Sequence, residues 1–291
     1  MGNYTLGLYE KAMPMELSWE EKLEAAKEAG YDFVEISIDE TDEKLKRLDM
    51  SEKAREELRR LMKETKMPIG TMCLSGHRRY PLGSSNPQTQ KRGMELMEKS
   101  VALAADLGVR IIQLAGYDVY YEDSTGETRQ RFEQSLHRAA HLAAKEGILL
   151  GFETMETELM NTVEKAMDYV KRINSPYLQI YPDAGNITNA AVAYGKDVVE
   201  DLRKGEGHIL AVHLKETVPG KFREIPYGTG HVDFRKITEA AWEMGVRRFV
   251  TEFWHTGNPA WKNELREAVT MMRGIIDLSN RTGKTCSRYG D

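Results

Sequence analysis

Gly147-Ile148-Leu149-Leu150-Gly151-Phe152-Glu153-Thr154 is the stretch whose reading decides the fold. An apolar run of about 4–8 residues bounded by glycine fits a strand buried on both faces, as parallel sheets require. It ends on a carboxylate, which is poorly placed for packing and well placed for chemistry. Three later stretches repeat the design. Leu178-Gln179-Ile180-Tyr181-Pro182 runs into Asp183, residues 208–212 run into His213, and Arg248-Phe249-Val250-Thr251 runs into Glu252. The successive spacings, thirty, thirty and thirty-nine residues, each match about one strand–helix–strand unit.

Working outward, the same alternation fills the chain. A strand over residues 4–9 is followed by Glu10-Lys11, and Ser18 with Glu21 forms a capping box for a helix that Gly30 stops. Residues 32–36 make a second strand carrying Glu35, and 51–66 a charged amphipathic helix. Residues 68–74 make a third strand that leads into Ser75-Gly76-His77-Arg78-Arg79-Tyr80-Pro81. A helix over 87–107, a strand over 109–114 and a helix over 126–146 precede the opening stretch. Beyond it come helices over 162–172 and 189–204, a Gly- and Pro-rich loop over 215–231, and helices over 233–244 and 259–278. Eight strand–helix alternations predict an α/β chain closed as a (β/α)8 TIM barrel, and the absence of Gly-x-Gly-x-x-Gly after the first strand argues against a dinucleotide fold. The expected organisation is a single domain over residues 1–291, with 279–291 as a polar tail that frays.

Composition bounds the function. Charged residues are 30% and hydrophobic ones 41%, as in an ordinary globular protein. Lys and Arg number 41 against 46 Asp and Glu, a net charge of −5 with no basic tract, which argues against a nucleic-acid surface. The two cysteines, Cys73 and Cys286, match no zinc or redox spacing, so a reducing, cytoplasmic compartment is expected. No signal pattern opens the chain, and Met1-Gly2 lacks the Ser or Thr that myristoylation wants at position 6. The most apolar long stretch, 100–116, is broken by Asp106 and Arg110, so no membrane span is expected.

In a barrel all strand C-termini point to one mouth, so Glu153, Asp183, His213 and Glu252 converge although far apart in sequence. Two glutamates, an aspartate and a histidine form a mixed O/N donor set suited to one divalent ion, Mn²⁺, Zn²⁺, Co²⁺ or Mg²⁺. For any one of them alone an ordinary solvent-facing strand end is the simpler reading. Four in successive units change that balance.

Several motifs, in order, resemble the xylose-isomerase-like barrel superfamily, and more narrowly the L-ribulose-5-phosphate (L-xylulose-5-phosphate) 3-epimerases, also labelled hexulose-6-phosphate isomerases. They are Leu6-Gly7-Leu8-Tyr9-Glu10-Lys11, Cys73-Leu74-Ser75-Gly76-His77-Arg78-Arg79, Phe152-Glu153-Thr154-Met155-Glu156, Tyr181-Pro182-Asp183-Ala184-Gly185-Asn186, Ala211-Val212-His213-Leu214-Lys215-Glu216, Pro226-Tyr227-Gly228-Thr229-Gly230 and Glu252-Phe253-Trp254. The resemblance implies that Glu153, Asp183, His213 and Glu252 hold one metal. It also implies that Glu153 and Glu252, as the catalytic pair, exchange the C3 proton of a ketose from opposite faces. The chemistry is sound on its own terms. A proton α to a ketone leaves when the enediolate charge is stabilised, and inversion needs a base on one face and an acid on the other.

Substrate-binding expectations fall on His77 and Arg78 after the third strand, on Glu156 three residues past Glu153, and on Arg223 among Lys215, Lys221 and Arg223 of the seventh connection, where barrels often bind phosphate. Asn186 stands where relatives often carry a substrate-contacting histidine. His137 and His141, spaced i, i+4, lack an acidic partner and are read as surface or packing residues. His208 reads as structural, His231 is left open, and Tyr120, Tyr121 and Trp254 read as mouth-lining aromatics.

The expected activity is metal-dependent C3 epimerisation of a ketopentose 5-phosphate through a cis-enediolate. The alternatives are epimerisation of an unphosphorylated ketose or aldose–ketose isomerisation on the same site. An apurinic-site endonuclease shares the superfamily but needs more strand-end histidines and a basic groove. A metal-free scaffold barrel is the remaining class. The expected partners are a small sugar (phosphate) and, through exposed helices, further copies of the chain in a homo-oligomer.

Overall fold

The computed structural model describes residues 3–286. Met1-Gly2 and the last residues of the expected polar tail, 287–291, lie outside them. The strands are β1 (Thr5–Tyr9), β2 (Phe33–Ile38), β3 (Ile69–Leu74), β4 (Ile111–Ala115), β5 (Leu149–Glu153), β6 (Leu178–Ile180), β7 (Val212–Leu214) and β8 (Arg248–Thr251). Neighbours pair in parallel in the order β6-β5-β4-β3-β2-β1-β8-β7. The two outer members meet through isolated parallel bridges, Ile180 with Ile209 and Asp183 with His213, so the sheet closes into the expected (β/α)8 barrel. Among the described residues no helix is long and apolar enough to cross a membrane.

Alternation along each strand divides the core in two. Residues facing the helices, such as Leu6, Leu8, Val34, Ile36, Ile112, Leu114, Leu150, Phe152 and Phe249, join one large cluster with the apolar stripes of the surrounding helices. Residues facing the barrel axis form a smaller one: Tyr9, Phe33, Cys73, Ile111, Tyr181, Ala211 and Val250. Phe33 fills the axis opposite Gly7, where an added Cβ would stand 2.4 Å from its ring. Inward positions continue toward the mouth with polar residues. Glu35 is level with Thr71, Gln113 with Gly151, and Asp183 with His213. The lower barrel is thus a packed plug and its upper layers are polar.

Helix ends follow local signals. Ser18 and Glu21 make the capping box and Gly30 adopts φ 100° at the C-cap of the helix Trp19–Ala29. Boundaries differ from expectation at several places, and the seventh strand, expected over 208–212 and running into His213, is Val212–Leu214 with His213 at its middle. The helix expected over 189–204 is two helices, Ala184–Tyr194 and Val198–Arg203. Asp183 caps the first, with its Oδ1 accepting from Asn186 N at 2.7 Å, and Gly195 at φ 62° ends it. The closing helix, expected to stop at Leu278, runs Trp261–Cys286, through a stretch read as tail because its apolar pattern lapses.

A second polar cluster lies between β1, β2 and the helices. Glu10 is buried and accepts from Lys22 Nζ at 2.9 Å, Lys44 Nζ at 2.7 Å, both terminal nitrogens of Arg47, and Ser37 N at 2.9 Å. Burial alone would raise its pKa, but Arg47, Lys44 and Lys22 outweigh that and hold the carboxyl well below the usual range.

Candidate metal centre

Glu153 closes β5, Asp183 follows β6 as a helix cap, His213 is the middle residue of β7, and Glu252 follows β8. All four are buried, and one ligand atom from each lies within 4.8 Å of the other three. His213 Nδ1 is 3.0 Å from Glu252 Oε2 and 3.7 Å from Glu153 Oε1. Asp183 Oδ1 receives Asn186 N and the Lys215 ammonium at 3.1 Å, and its other oxygen, Oδ2, is buried with no partner. That orphaned carboxylate oxygen, within a compact set of three carboxylates and an imidazole, is what a bound divalent ion would satisfy. The donor set fits.

The electrostatics are those of like charges forced together. Burial, and then Glu252 beside it, raises the pKa of Glu153. Burial raises Asp183 well above its usual range despite Lys215. For Glu252 the order reverses: burial raises it, yet Lys215 and His213 together hold it below the usual carboxylate range. Burial opposes charge on His213, but Glu35 and Glu252 hold it well above the histidine range. Such crowded anions are stable as a set only with cations among them.

Beneath the four donors lies a layer that was not singled out from the sequence as part of the site. Glu35 of β2 receives His213 Nε2 at 2.6 Å on one oxygen, and the hydroxyls of Thr71 at 2.7 Å and Tyr181 at 3.1 Å on the other. A carboxylate on one imidazole nitrogen fixes the ring so that the other faces the ligand position. Glu35→Gln is therefore expected to weaken divalent-metal binding about 10–100-fold. Calorimetric titration checks this, and an unchanged affinity would remove Glu35 from the site.

Above the donors is a cavity of about 50 Å³, with Glu153, Glu252 and Lys215 as its floor and Tyr9, Lys11, Arg78, Glu156, Arg223 and Trp254 among its walls. Arg223 is 3.4 Å from Glu156, which also receives the Tyr120 hydroxyl at 3.1 Å. Arg78 stacks 4.7 Å from the Tyr120 ring centroid and reaches Glu40 at 3.5 Å. Asn186 is buried beside Asp183 and spends its amide on Thr154 O at 2.7 Å, with its own carbonyl oxygen unpartnered.

Two members of the expected substrate set do not line this cavity: Asn186, beside Asp183, and His77. The His77 ring is buried, with Nε2 3.1 Å from Gly93 O on the helix Pro87–Leu107. Burial, only partly offset by that bond, pushes its pKa down to about 4. The unfolded chain therefore takes up this proton first, near pH 6.5, and the folded chain only near pH 4. Stability falls through that window as pH drops, by about 3 kcal/mol from this group. His77→Gln should flatten the difference in denaturation midpoint between pH 7 and pH 4, and an unaltered slope would refute the assignment. Elsewhere, His208 Nδ1 contacts Gln179 at 2.8 Å, His231 Nε2 contacts Thr217 at 3.1 Å, and His137 and His141 are exposed.

The fold and this donor set define a class before any particular relative is considered. A family model described as Xylose isomerase-like TIM barrel matches residues 23–275, and the chain belongs to that family. It is 44% identical over 250 residues to L-ribulose-5-phosphate 3-epimerase UlaE of Escherichia coli O139:H28, covering 86% of this chain and 87% of that protein. It is as similar to the UlaE of Shigella sonnei strain Ss046, with the same identity and coverage. A solved L-ribulose 3-epimerase superposes with a TM-score of 0.77 over 99% of this chain and 100% of its own, at 18% identity, which speaks to the fold alone. The chain is an enzyme of the isomerase class, a sugar epimerase by kinship.

Proposed function

We propose that this chain is a divalent-metal-dependent 3-epimerase that interconverts L-ribulose 5-phosphate and L-xylulose 5-phosphate through a cis-enediolate. What carries the reading is the convergence of Glu153, Asp183, His213 and Glu252 under a cation-walled cavity in a chain 44% identical to UlaE. Those four residues would hold the ion, and when bound it supplies Lewis-acid polarisation of the ketone. One of Glu153 and Glu252 takes the proton from C3. The C–H electron pair becomes the C2–C3 double bond and the carbonyl pair moves onto O2. The other glutamate, as its acid, returns a proton to the opposite face of C3.

Arg223, with Lys11 and Arg78, supplies the positive wall for the phosphate, and guanidinium geometry suits it. Glu156 orders Tyr120 and Arg223 beside it, and Asn186 offers its unpartnered carbonyl oxygen from beside Asp183. Trp254, Tyr9 and Met155 keep water off the reacting carbon.

The test is proton exchange followed by NMR. Metal-loaded protein in D₂O is given L-ribulose 5-phosphate and, separately, L-ribulose. Deuterium at C3 with appearance of L-xylulose 5-phosphate, and a strong preference for the phosphorylated sugar, is the expected result. Exchange at C1 would move the chemistry to aldose–ketose isomerisation, and equal turnover of both sugars would remove phosphate from the substrate.

A further inference from the structure

Lys215 lies two residues beyond His213, so it faces the barrel axis one layer closer to the mouth. Its side chain is only 5% exposed, and its ammonium stands 3.1 Å from Asp183 Oδ1 and 3.6 Å from Glu252 Oε2 while also lining the cavity. The other cations of the cavity sit farther out and answer to other groups. Lys11 pairs with Asp39, Arg78 with Glu40, and Arg223 with Glu156. Burying an ammonium is costly, and a methionine of similar length would fill the same space without that cost.

Charge explains what the ammonium does that packing does not. Glu153, Asp183 and Glu252 bring three negative charges to one point, and a divalent ion cancels two. The centre is left with one excess negative charge, in the place where proton abstraction creates another. Among the ligand carboxylates Lys215 cancels that excess, the Glu35 carboxylate being a further charge on the far side of the His213 ring. The Lys215 bond to Asp183 Oδ1 also leaves Oδ2 as the oxygen free for the ion.

Resting on the metal-dependent reading above, we propose that Lys215 is a catalytic residue: its ammonium donates a hydrogen bond to the substrate oxygen on which the enediolate charge develops. In that step the base glutamate gains the C3 proton, the C–H pair forms the C2–C3 bond, and the carbonyl pair collects on O2. The ammonium stabilises O2 without giving up its own proton, and the charge returns to the carbonyl when the acid glutamate protonates C3. Removing a preorganised donor of this kind costs about 10²–10³-fold in kcat.

The experiment compares wild type, K215M and K215R, with K215Q replacing K215M should that variant fail to fold. Mn²⁺ is titrated calorimetrically into each metal-free protein, and kcat and KM are measured at saturating Mn²⁺. The expected result is a K215M that binds Mn²⁺ at least as tightly as wild type, since a competing cation is gone. Its kcat should fall about 10²–10³-fold with little change in KM, and K215R should recover part of the loss. A kcat within about tenfold of wild type at saturating metal would overturn the proposal, making Lys215 only a counter-ion of the empty centre. Mn²⁺ binding weakened in step with kcat would overturn it too, in favour of a role confined to holding Asp183. Wild-type protein that binds no Mn²⁺ would instead remove the metal reading on which the proposal stands.

Discussion

Glu153→Gln and Glu252→Gln are each expected to cut C3 epimerisation by about 10²–10⁴-fold, the range that general acid–base catalysis supplies. The amide keeps the size and one oxygen of each carboxylate, and both residues are also proposed to hold the ion, so the loss reports proton transfer when it is measured at saturating metal. The informative readout is solvent exchange from each epimer separately. With one glutamate replaced, the remaining one can still take and return a proton on its own face. One epimer should therefore wash deuterium into C3 without inverting, while the other is silent. Replacing the other glutamate should exchange the two behaviours. If both variants lose exchange from both epimers equally at saturating metal, two-base inversion is wrong. The effects will not add, because the two groups act as a unit.

The second large effect is on stability. Glu10→Ala should destabilise the fold by about 3–5 kcal/mol, because it leaves Lys22 and Lys44 buried, with the partly buried Arg47 beside them, and no anion. For a chain of this size that corresponds to a melting point lower by roughly 5–10 °C. The wild-type contribution is present above the unfolded glutamate pKa and disappears as pH falls through the depressed folded value, so the gap between wild type and variant should narrow in acid. Differential scanning calorimetry across pH 7 to pH 3 measures this. A variant as stable as wild type at pH 7 would show that the three cations find other partners.

The barrel was legible because its signals are local. Apolar runs bounded by glycine, polar residues at strand ends and caps such as Ser18 are each visible within a few residues. The convergence of Glu153, Asp183, His213 and Glu252 was legible for the same reason, since strand ends converge by construction. Glu35 was not, although a glutamate inside the apolar strand Phe33–Ile38 is itself a signal. Its meaning depends on the inward parity of β2 and on His213, 178 residues away. His77 and Arg78 read alike as neighbours, but they occupy a 3₁₀ turn, Gly76–Arg78, where successive side chains point about 120° apart. One faces the helix and the other the cavity. The helix over Ala184–Tyr194 was read too late because Asp183 was taken only as a ligand, when its other oxygen is also the helix cap.

The barrel closes where it has least backbone pairing. β6 and β7 contribute three residues each and meet through isolated bridges, one of which joins Asp183 to His213. The four donors come from the four strands that flank this seam, two on either side. An ion held there would act as a clasp, reinforcing a seam that the backbone crosses with the bonds Ile180 N to His208 O, Leu210 N to Ile180 O and His213 N to Pro182 O. Supply of the metal would then govern how long the protein survives proteolysis as well as how fast it turns over, and starvation for the ion would be felt first as the barrel coming unfastened between β6 and β7.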